Sequence, residues 1–285
     1  MVTPFREDET IDAARLRQLI DRQIDAGIEG LVLAGSTGEA ATLSRAEKLE
    51  VFRIALEAVG GRVPVIAGTG SNNTNATIGL TKAAAEAGVD AALVVGPFYN
   101  RPTQEGYYEH FSRIAASVPD LPIILYNVPG RTAGMIEAET QLRLAQDCPN
   151  IVATKEASGD IAVAMEIVRS APDGFALYAG DDILTQAMIS CGAAGVIAVM
   201  SNVLPRHFGE AVRRSLDGDF SGGRAAFLRL LPILELAGAE TNPIPVKNML
   251  AQLGLIEENI RLPLTRAQTD THAAIRAELQ TLGLL

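Results

Sequence analysis

The sequence has no long apolar run. Its longest, such as Leu31 to Ala34 and Ala194 to Met200, fall well short of the ~20 residues a membrane-spanning helix requires. Nor does the opening MVTPFREDET show the basic-then-apolar pattern of an export leader. Basic charge is in deficit, 24 Lys and Arg against 34 Asp and Glu, for a formal net charge of -10. A surface of that sign repels phosphate backbones and anionic lipid, so neither nucleic acid nor membrane is an expected partner. Cysteine is scarce too: Cys148 and Cys191 read as unpaired, buried thiols of a reduced, cytoplasmic chain. The three histidines, His110, His207 and His272, are far apart and in no HxH or HExxH spacing, which argues against an imidazole-built metal site. No metal and no cofactor are expected.

What is present is an ordinary globular composition, 48% apolar and 20% charged over 285 residues, enough for one large core. Short apolar, β-branched runs recur at Gly30 to Ala34, Val63 to Ala67, Ala91 to Val95, Pro122 to Tyr126, Ile151 to Thr154, Phe175 to Ala179 and Ala194 to Val199. They are continuous rather than alternating, as strands buried on both faces are. Helical periodicity fills the gaps, at about Ile11 to Ala26, Asn73 to Ala87, Gln104 to Val118, Glu137 to Gln146, Ile161 to Ser170 and Ile183 to Ser190. Another helix opens on Ser44, with Glu47 three residues on as a capping box, and runs toward Val59. Strand followed by helix, repeated, predicts an α/β fold with a parallel sheet, and a (β/α)8 TIM barrel if an eighth strand closes it. The only place for that strand is Met1 to Thr3, ahead of Pro4, which is short. Past Val199 the pattern turns helical, with breaks near Gly218, Asn242 to Pro245 and Leu262-Pro263. The expected organisation is a barrel over 1–203 and a helical region over 204–285 packed on it. An open doubly wound sheet is the second topology, disfavoured because AGSTGEA and AGTGSNNT complete neither GxGxxG nor a P-loop.

Lysine is the rarest charged residue, four against twenty arginines. Lys48 and Lys82 lie on amphipathic helices where a solvated charge is expected, and Lys247 follows an Asn-Pro-Ile-Pro turn into a helix. Lys155 differs: it ends the apolar strand Ile151 to Thr154, where barrel enzymes carry their active-site groups. Two readings stay open. It pairs with Glu156 or another carboxylate, or burial strips its charged form of hydration and leaves a neutral amine nucleophilic toward a ketone. A second strand ends in Tyr126, whose phenol could carry protons at the same mouth or simply pack in the core. Arg131, on a Pro-Gly turn, is either solvated or a forked donor for a carboxylate. The glycines of Gly35-Ser36-Thr37-Gly38-Glu39 permit backbone turns that aim amides at an anion. Asp181-Asp182, between a strand and a helix, is read as an N-cap rather than a metal site.

In order and spacing, GSTGEAATL, VIAGTG, PFYNRPTQEG, LYNVPGRT, KEASGD and NPIPVK resemble the dihydrodipicolinate synthase branch of the pyruvate-dependent class I aldolase family, over essentially the whole chain. The resemblance implies a lyase with Lys155 as the Schiff-base lysine and Tyr126 as the proton donor and acceptor. A relay runs through Ser36 and through Tyr99, which family members contribute across a dimer interface. Thr37 would hold the pyruvate carboxylate, the backbone of Ile197 would lie against the pyruvate, and Arg131 would hold the carboxylate of aspartate semialdehyde. A homotetramer is implied, making 4-hydroxytetrahydrodipicolinate for lysine and diaminopimelate. Ser36 departs from the usual threonine: the hydroxyl stays, but the methyl group restricting χ1 is lost. Family chains usually begin several residues earlier with a full first strand, so a start upstream of Met1 is expected. Where lysine-inhibited members carry a glutamate, a tyrosine and a histidine, this chain has Ala76, Phe98 and Lys48, which predicts weak feedback inhibition. Sialic acid lyases and keto-deoxy sugar acid aldolases share the lysine, the tyrosine and the loop, and are the nearest rivals. A noncatalytic keto-acid binder, or a metal-dependent aldolase, is a rival of another class.

Overall fold

Ser44 and Glu47 form both halves of the expected capping box: Glu47 N donates to Ser44 Oγ at 3.2 Å, and Ser44 N to Glu47 Oε2 at 2.8 Å. The helix they open is α2 (Arg45–Val59), preceded by α1 (Ala13–Asp25) and the strand β1 (Leu31–Leu33). The computed structural model describes residues 1–285, in two compact units. One comprises Met1–Val63 with Val199–Leu285, and the other Pro64–Ala198.

The central unit alternates β2 (Val65–Gly68), α3 (Thr74–Ala87), β3 (Ala91–Val95), α4 (Gln104–Ser117), β4 (Ile123–Asn127), α5 (Pro129–Thr132), α6 (Ala138–Asp147), β5 (Ile151–Glu156), α7 (Ile161–Ser170), β6 (Ala176–Ala179), α8 (Thr185–Ser190) and β7 (Gly195–Val196). Strands β2 to β7 pair in chain order, every neighbour parallel. The continuous apolar runs are buried as predicted: Ala92, Val94, Ile123 and Leu125 are closed to solvent. Side-chain caps begin three of the six helices here: Asn73, Thr103 and Asp160 each accept an N–H from the first turn of α3, α4 and α7. Asp181 is not the N-cap of α8; its carboxylate accepts Ile183 N at 3.0 Å in the turn before it, where Leu184 is the cap.

In the other unit the chain after Val199 is helical, through a 3-10 turn (Met200–Asn202), α9 (Pro205–Leu216), α10 (Phe220–Ala237), α11 (Ile244–Gln252) and α12 (Thr269–Thr281). Its interruptions fall at Gly218, Asn242-Pro243 and Leu262-Pro263, the predicted breaks. Met1 to Thr3 does not form the expected strand. Its polar groups go to scattered partners instead of a ladder: Val2 N donates to Asn202 Oδ1 at 2.9 Å and Thr3 Oγ1 to Gly38 O at 2.7 Å. Three residues ahead of a proline have too few N–H groups for a pairing register. The fold class is the expected one, α/β with the βα repeat of a (β/α)8 barrel and a helical C-terminal region. No helix is long and apolar enough to cross a membrane. Both cysteines are free thiols; Cys148 is buried and Cys191 partly so.

Candidate active site

Register brings the two principal candidates together. Tyr126 on β4 is the partner of Lys155 on β5, and Lys155 is in turn the partner of Tyr178 on β6. Side chains alternate along a strand, so residues on either side of Lys155 face the other way. Thr154 Oγ1 donates to Gln141 Oε1 at 2.6 Å, and Gln141 Nε2 donates to Glu156 Oε2 at 3.2 Å, tying both flanking residues to α6. The buried Glu156 carboxylate also accepts Asn127 Nδ2 at 2.9 Å and Ser158 N at 2.7 Å. With three donors it is satisfied without a cation.

Lys155 faces the other side of the sheet with Tyr126. Both are 7% exposed, and Lys155 Nζ lies 4.5 Å from the centre of the Tyr126 ring. No carboxylate lies within ion-pairing distance of that nitrogen. The pairing with Glu156 is not made, because that side chain is turned into the α6 network. What remains is a buried primary amine beside a phenol. Tyr178, half-buried on the next strand, was not identified from the sequence as lining this place. Its position three residues before Asp181 gave no chemical signal; the inter-strand register gives it.

The other central-unit candidates lie on turns at the strand ends. Ile197 follows β7, and its N–H donates to Ala179 O at 2.9 Å. Arg131 is exposed within the one-turn helix α5, opened by Pro129. Tyr99 is 89% exposed, the most of any large apolar or aromatic side chain, and its backbone is left-handed with φ 71°.

Ser36 and Thr37 lie in the other unit, in the turn after β1. Gly38 N and Ala40 N donate to Gly35 O at 3.0 and 3.2 Å, and Glu39 N to Ser36 O at 3.1 Å. The amides of Ser36 and Thr37 make no hydrogen bond in the chain, leaving two adjacent donors for an anion. The expected role of the glycines is corrected: the left-handed residues are Ala34 (φ 50°) and Glu39 (φ 57°). Gly38 is required by close approach, since a Cβ there would stand 3.0 Å from Met1 O and 3.2 Å from Ala34 N. Thr37 Oγ1 accepts Asn242 Nδ2 at 2.9 Å. Glu39 pairs with Lys247, and both are buried, so the lysine that follows the Asn-Pro-Ile-Pro turn serves an ion pair inside this unit. Burial pulls the Lys247 ammonium below the usual lysine range, and the Glu39 charge opposes the shift.

A family model, that of the dihydrodipicolinate synthetase family, matches residues 1–282. The 4-hydroxy-tetrahydrodipicolinate synthase of Salinibacter ruber is 47% identical over 265 residues, which cover 93% of this chain and 87% of that one. Among solved structures, dihydrodipicolinate synthase from Aquifex aeolicus is similar at a TM-score of 0.98 and 42% identity, covering 100% of this chain and 96% of that one. The chloride-inhibited enzyme from Acinetobacter baumannii, complexed with pyruvate, is similar at 0.97 and 39%, covering 100% and 97%.

Proposed function

The chain belongs to the dihydrodipicolinate synthetase family, and on that premise we propose that it condenses pyruvate with L-aspartate 4-semialdehyde, the activity of a 4-hydroxy-tetrahydrodipicolinate synthase. The observation that carries this is the Lys155 amine, buried, free of any carboxylate and 4.5 Å from the Tyr126 ring. A keto-acid binder without chemistry has no use for an amine there, since a cation for a carboxylate is better presented by a forked guanidinium.

The steps follow from the groups present. Lys155 Nζ adds to the keto carbon of pyruvate, and the carbinolamine loses water to leave an iminium. The iminium acidifies the adjoining methyl group, which gives a proton to a base and becomes an enamine; the enamine attacks the aldehyde carbon of the semialdehyde, forming the new C–C bond and regenerating the iminium as the aldehyde oxygen takes up a proton. The semialdehyde's own amine then adds to the former keto carbon, displaces Lys155 and closes the ring, leaving a hydroxyl on the former aldehyde carbon. Each addition and elimination moves a proton, and Tyr126, whose ring centre is 4.5 Å from Lys155 Nζ, carries a hydroxyl able to move one.

In this reading Ser36 and Tyr99 extend the proton relay, with Tyr99 supplied by a neighbouring subunit of a homotetramer. Thr37 holds the pyruvate carboxylate, Ile197 lies against the keto acid through its backbone, and Arg131 takes the carboxylate of the semialdehyde. The exposure of Tyr99 and the two open amides at Ser36 and Thr37 support these roles. The expected setting is the cytoplasm. The test is to incubate with pyruvate, reduce with borohydride and locate the adduct by mass, then assay turnover of aspartate semialdehyde. An adduct on Lys155 with turnover is expected. No adduct ends the mechanism, and an adduct without turnover reassigns the acceptor to another aldehyde.

A further inference from the structure

The segment Asn242-Pro243-Ile244-Pro245-Val246-Lys247 grips the turn Gly35–Glu39 at two points. Asn242 Nδ2 donates to Thr37 Oγ1 at 2.9 Å. At the other end of the segment Lys247 pairs with Glu39 and donates to Asn259 O at 2.8 Å, its nitrogen 4.3 Å from the centre of the Phe5 ring. Arg261 N donates to the second Glu39 oxygen at 3.0 Å. Glu39 is left-handed, a conformation that costs a side-chain-bearing residue about 1 kcal/mol and persists only where its surroundings fix it. Two groups hold its carboxylate here, Lys247 on one oxygen and Arg261 N on the other.

The Thr37 contact has a polarity that matters. A hydroxyl has one proton and two lone pairs. With one lone pair taken by an amide N–H, the proton is left over, and no acceptor for it occurs in the chain. The Thr37 hydroxyl is therefore set as a donor beside the unused amides of Ser36 and Thr37. Three donors with no acceptor among them match an anion such as a carboxylate.

We propose that Asn242 is a positioning residue for the keto acid: it orients the Thr37 hydroxyl to donate to the substrate carboxylate, while Lys247, through Glu39, holds the far end of the same turn. The inference rests on the reading that Thr37 receives the keto-acid carboxylate. It gives the NPIPVK segment of the helical C-terminal region a part in substrate affinity.

Polarity supplies the test. Asn242→Asp keeps the shape but replaces the donor by an acceptor, which takes the Thr37 proton and places a negative charge near the carboxylate. Asn242→Ala only removes the donor. Pyruvate KM, semialdehyde KM and kcat are measured for both and for Thr37→Val, singly and combined with Asn242→Ala. Pyruvate KM should rise about tenfold in Asn242→Ala, the size of one lost neutral hydrogen bond at its upper end. It should rise further in Asn242→Asp, with kcat and semialdehyde KM changed less than about threefold. In the Thr37→Val background Asn242→Ala should add less than about twofold. The inference is overturned if Asn242→Asp leaves pyruvate KM unchanged, if all constants fall together, or if the two substitutions add in full. Borohydride trapping of the unsubstituted enzyme separates the failures: no Lys155 adduct overturns the underlying reading together with this one, whereas an adduct with an unchanged Asn242→Asp KM overturns this one alone.

Discussion

Lys155 Nζ sits 4.5 Å from the centre of the Tyr126 ring, the two residues in register on neighbouring parallel strands. Ring and hydroxyl are separable in this arrangement. The ring covers the amine and excludes water, and the hydroxyl carries protons. Tyr126→Phe keeps the cover, so borohydride should still trap pyruvate on Lys155, while kcat falls about 10²- to 10⁴-fold with the loss of one general acid-base group. Tyr126→Ala should lower both trapping and turnover. Equal trapping and near-normal kcat in Tyr126→Phe would show that protons move by another route.

Gln141 holds the two residues that flank Lys155, accepting from Thr154 Oγ1 and donating to Glu156 Oε2, and all three are buried. Gln141→Leu has a similar volume but orphans a hydroxyl and removes one of the Glu156 donors. Its Nε2 also donates to Ile136 O at 2.9 Å, so a carbonyl loses its partner as well. The expected cost is about 3 kcal/mol in urea unfolding. Activity of the folded fraction should fall too, because β5 carries the amine. A variant as stable as the parent would mean that water replaces the amide.

The strands and most helices were legible because buried parallel strands are continuous apolar runs and because Ser44, Asn73, Thr103 and Asp160 cap their helices locally. The limits of that legibility are physical. Strand β5 runs on to Glu156, past the predicted end at Thr154, since Lys155 and Glu156 pair with Tyr178 and Ala179; two charged residues at a strand end look like loop. Lys155 and Tyr126 could be named because each ends an apolar run. Lys247 could not, because what makes it special is Glu39, remote in sequence. The turn at 35–39 was recognised for its glycines, yet the left-handed positions proved to be Ala34 and Glu39, where tertiary contacts override the local preference. Met1 to Thr3 misled in the other direction: Val2 and Thr3 are buried, but their polar groups are met by single hydrogen bonds rather than a ladder.

Tyr107 is 1% exposed and its hydroxyl has no hydrogen-bond partner, an arrangement that costs free energy relative to phenylalanine. A Cβ on Gly134 would collide with that oxygen, while the next nearest atom, Tyr107 Cζ, is at an ordinary 3.6 Å. Tyr107→Phe should therefore stabilise the protein by about 1 kcal/mol. Gly134→Ala should destabilise the parent and be tolerated in Tyr107→Phe. The two effects should couple strongly in a double-mutant cycle of thermal unfolding. Additivity would mean that the hydroxyl already has room to move.

His110 predicts how the fold responds to acid. It is 5% exposed on α4; Thr74 Oγ1 lies 2.9 Å from its Nδ1, and its Nε2 is buried without a partner. Burial pushes its pKa down to about 4 from an ordinary 6.5. Between those two values the unfolded chain holds a proton on this ring that the folded chain does not, so stability rises with pH across that window. Read downward, the favourable difference is intact above pH 6.5 and is lost progressively as pH falls toward 4, a change of about 3 kcal/mol at most. Glu47, held down to about 2 by Arg261, acts in the same direction but only below the ordinary glutamate range, so the two are separable by pH. Urea midpoints measured from pH 7 to pH 4.5 should fall for the parent, and His110→Gln should flatten that fall by about one proton's worth of slope, 1.4 kcal/mol per pH unit. An unchanged slope in the variant would place the acid sensitivity in other groups and mean that the His110 ring reaches water before it titrates.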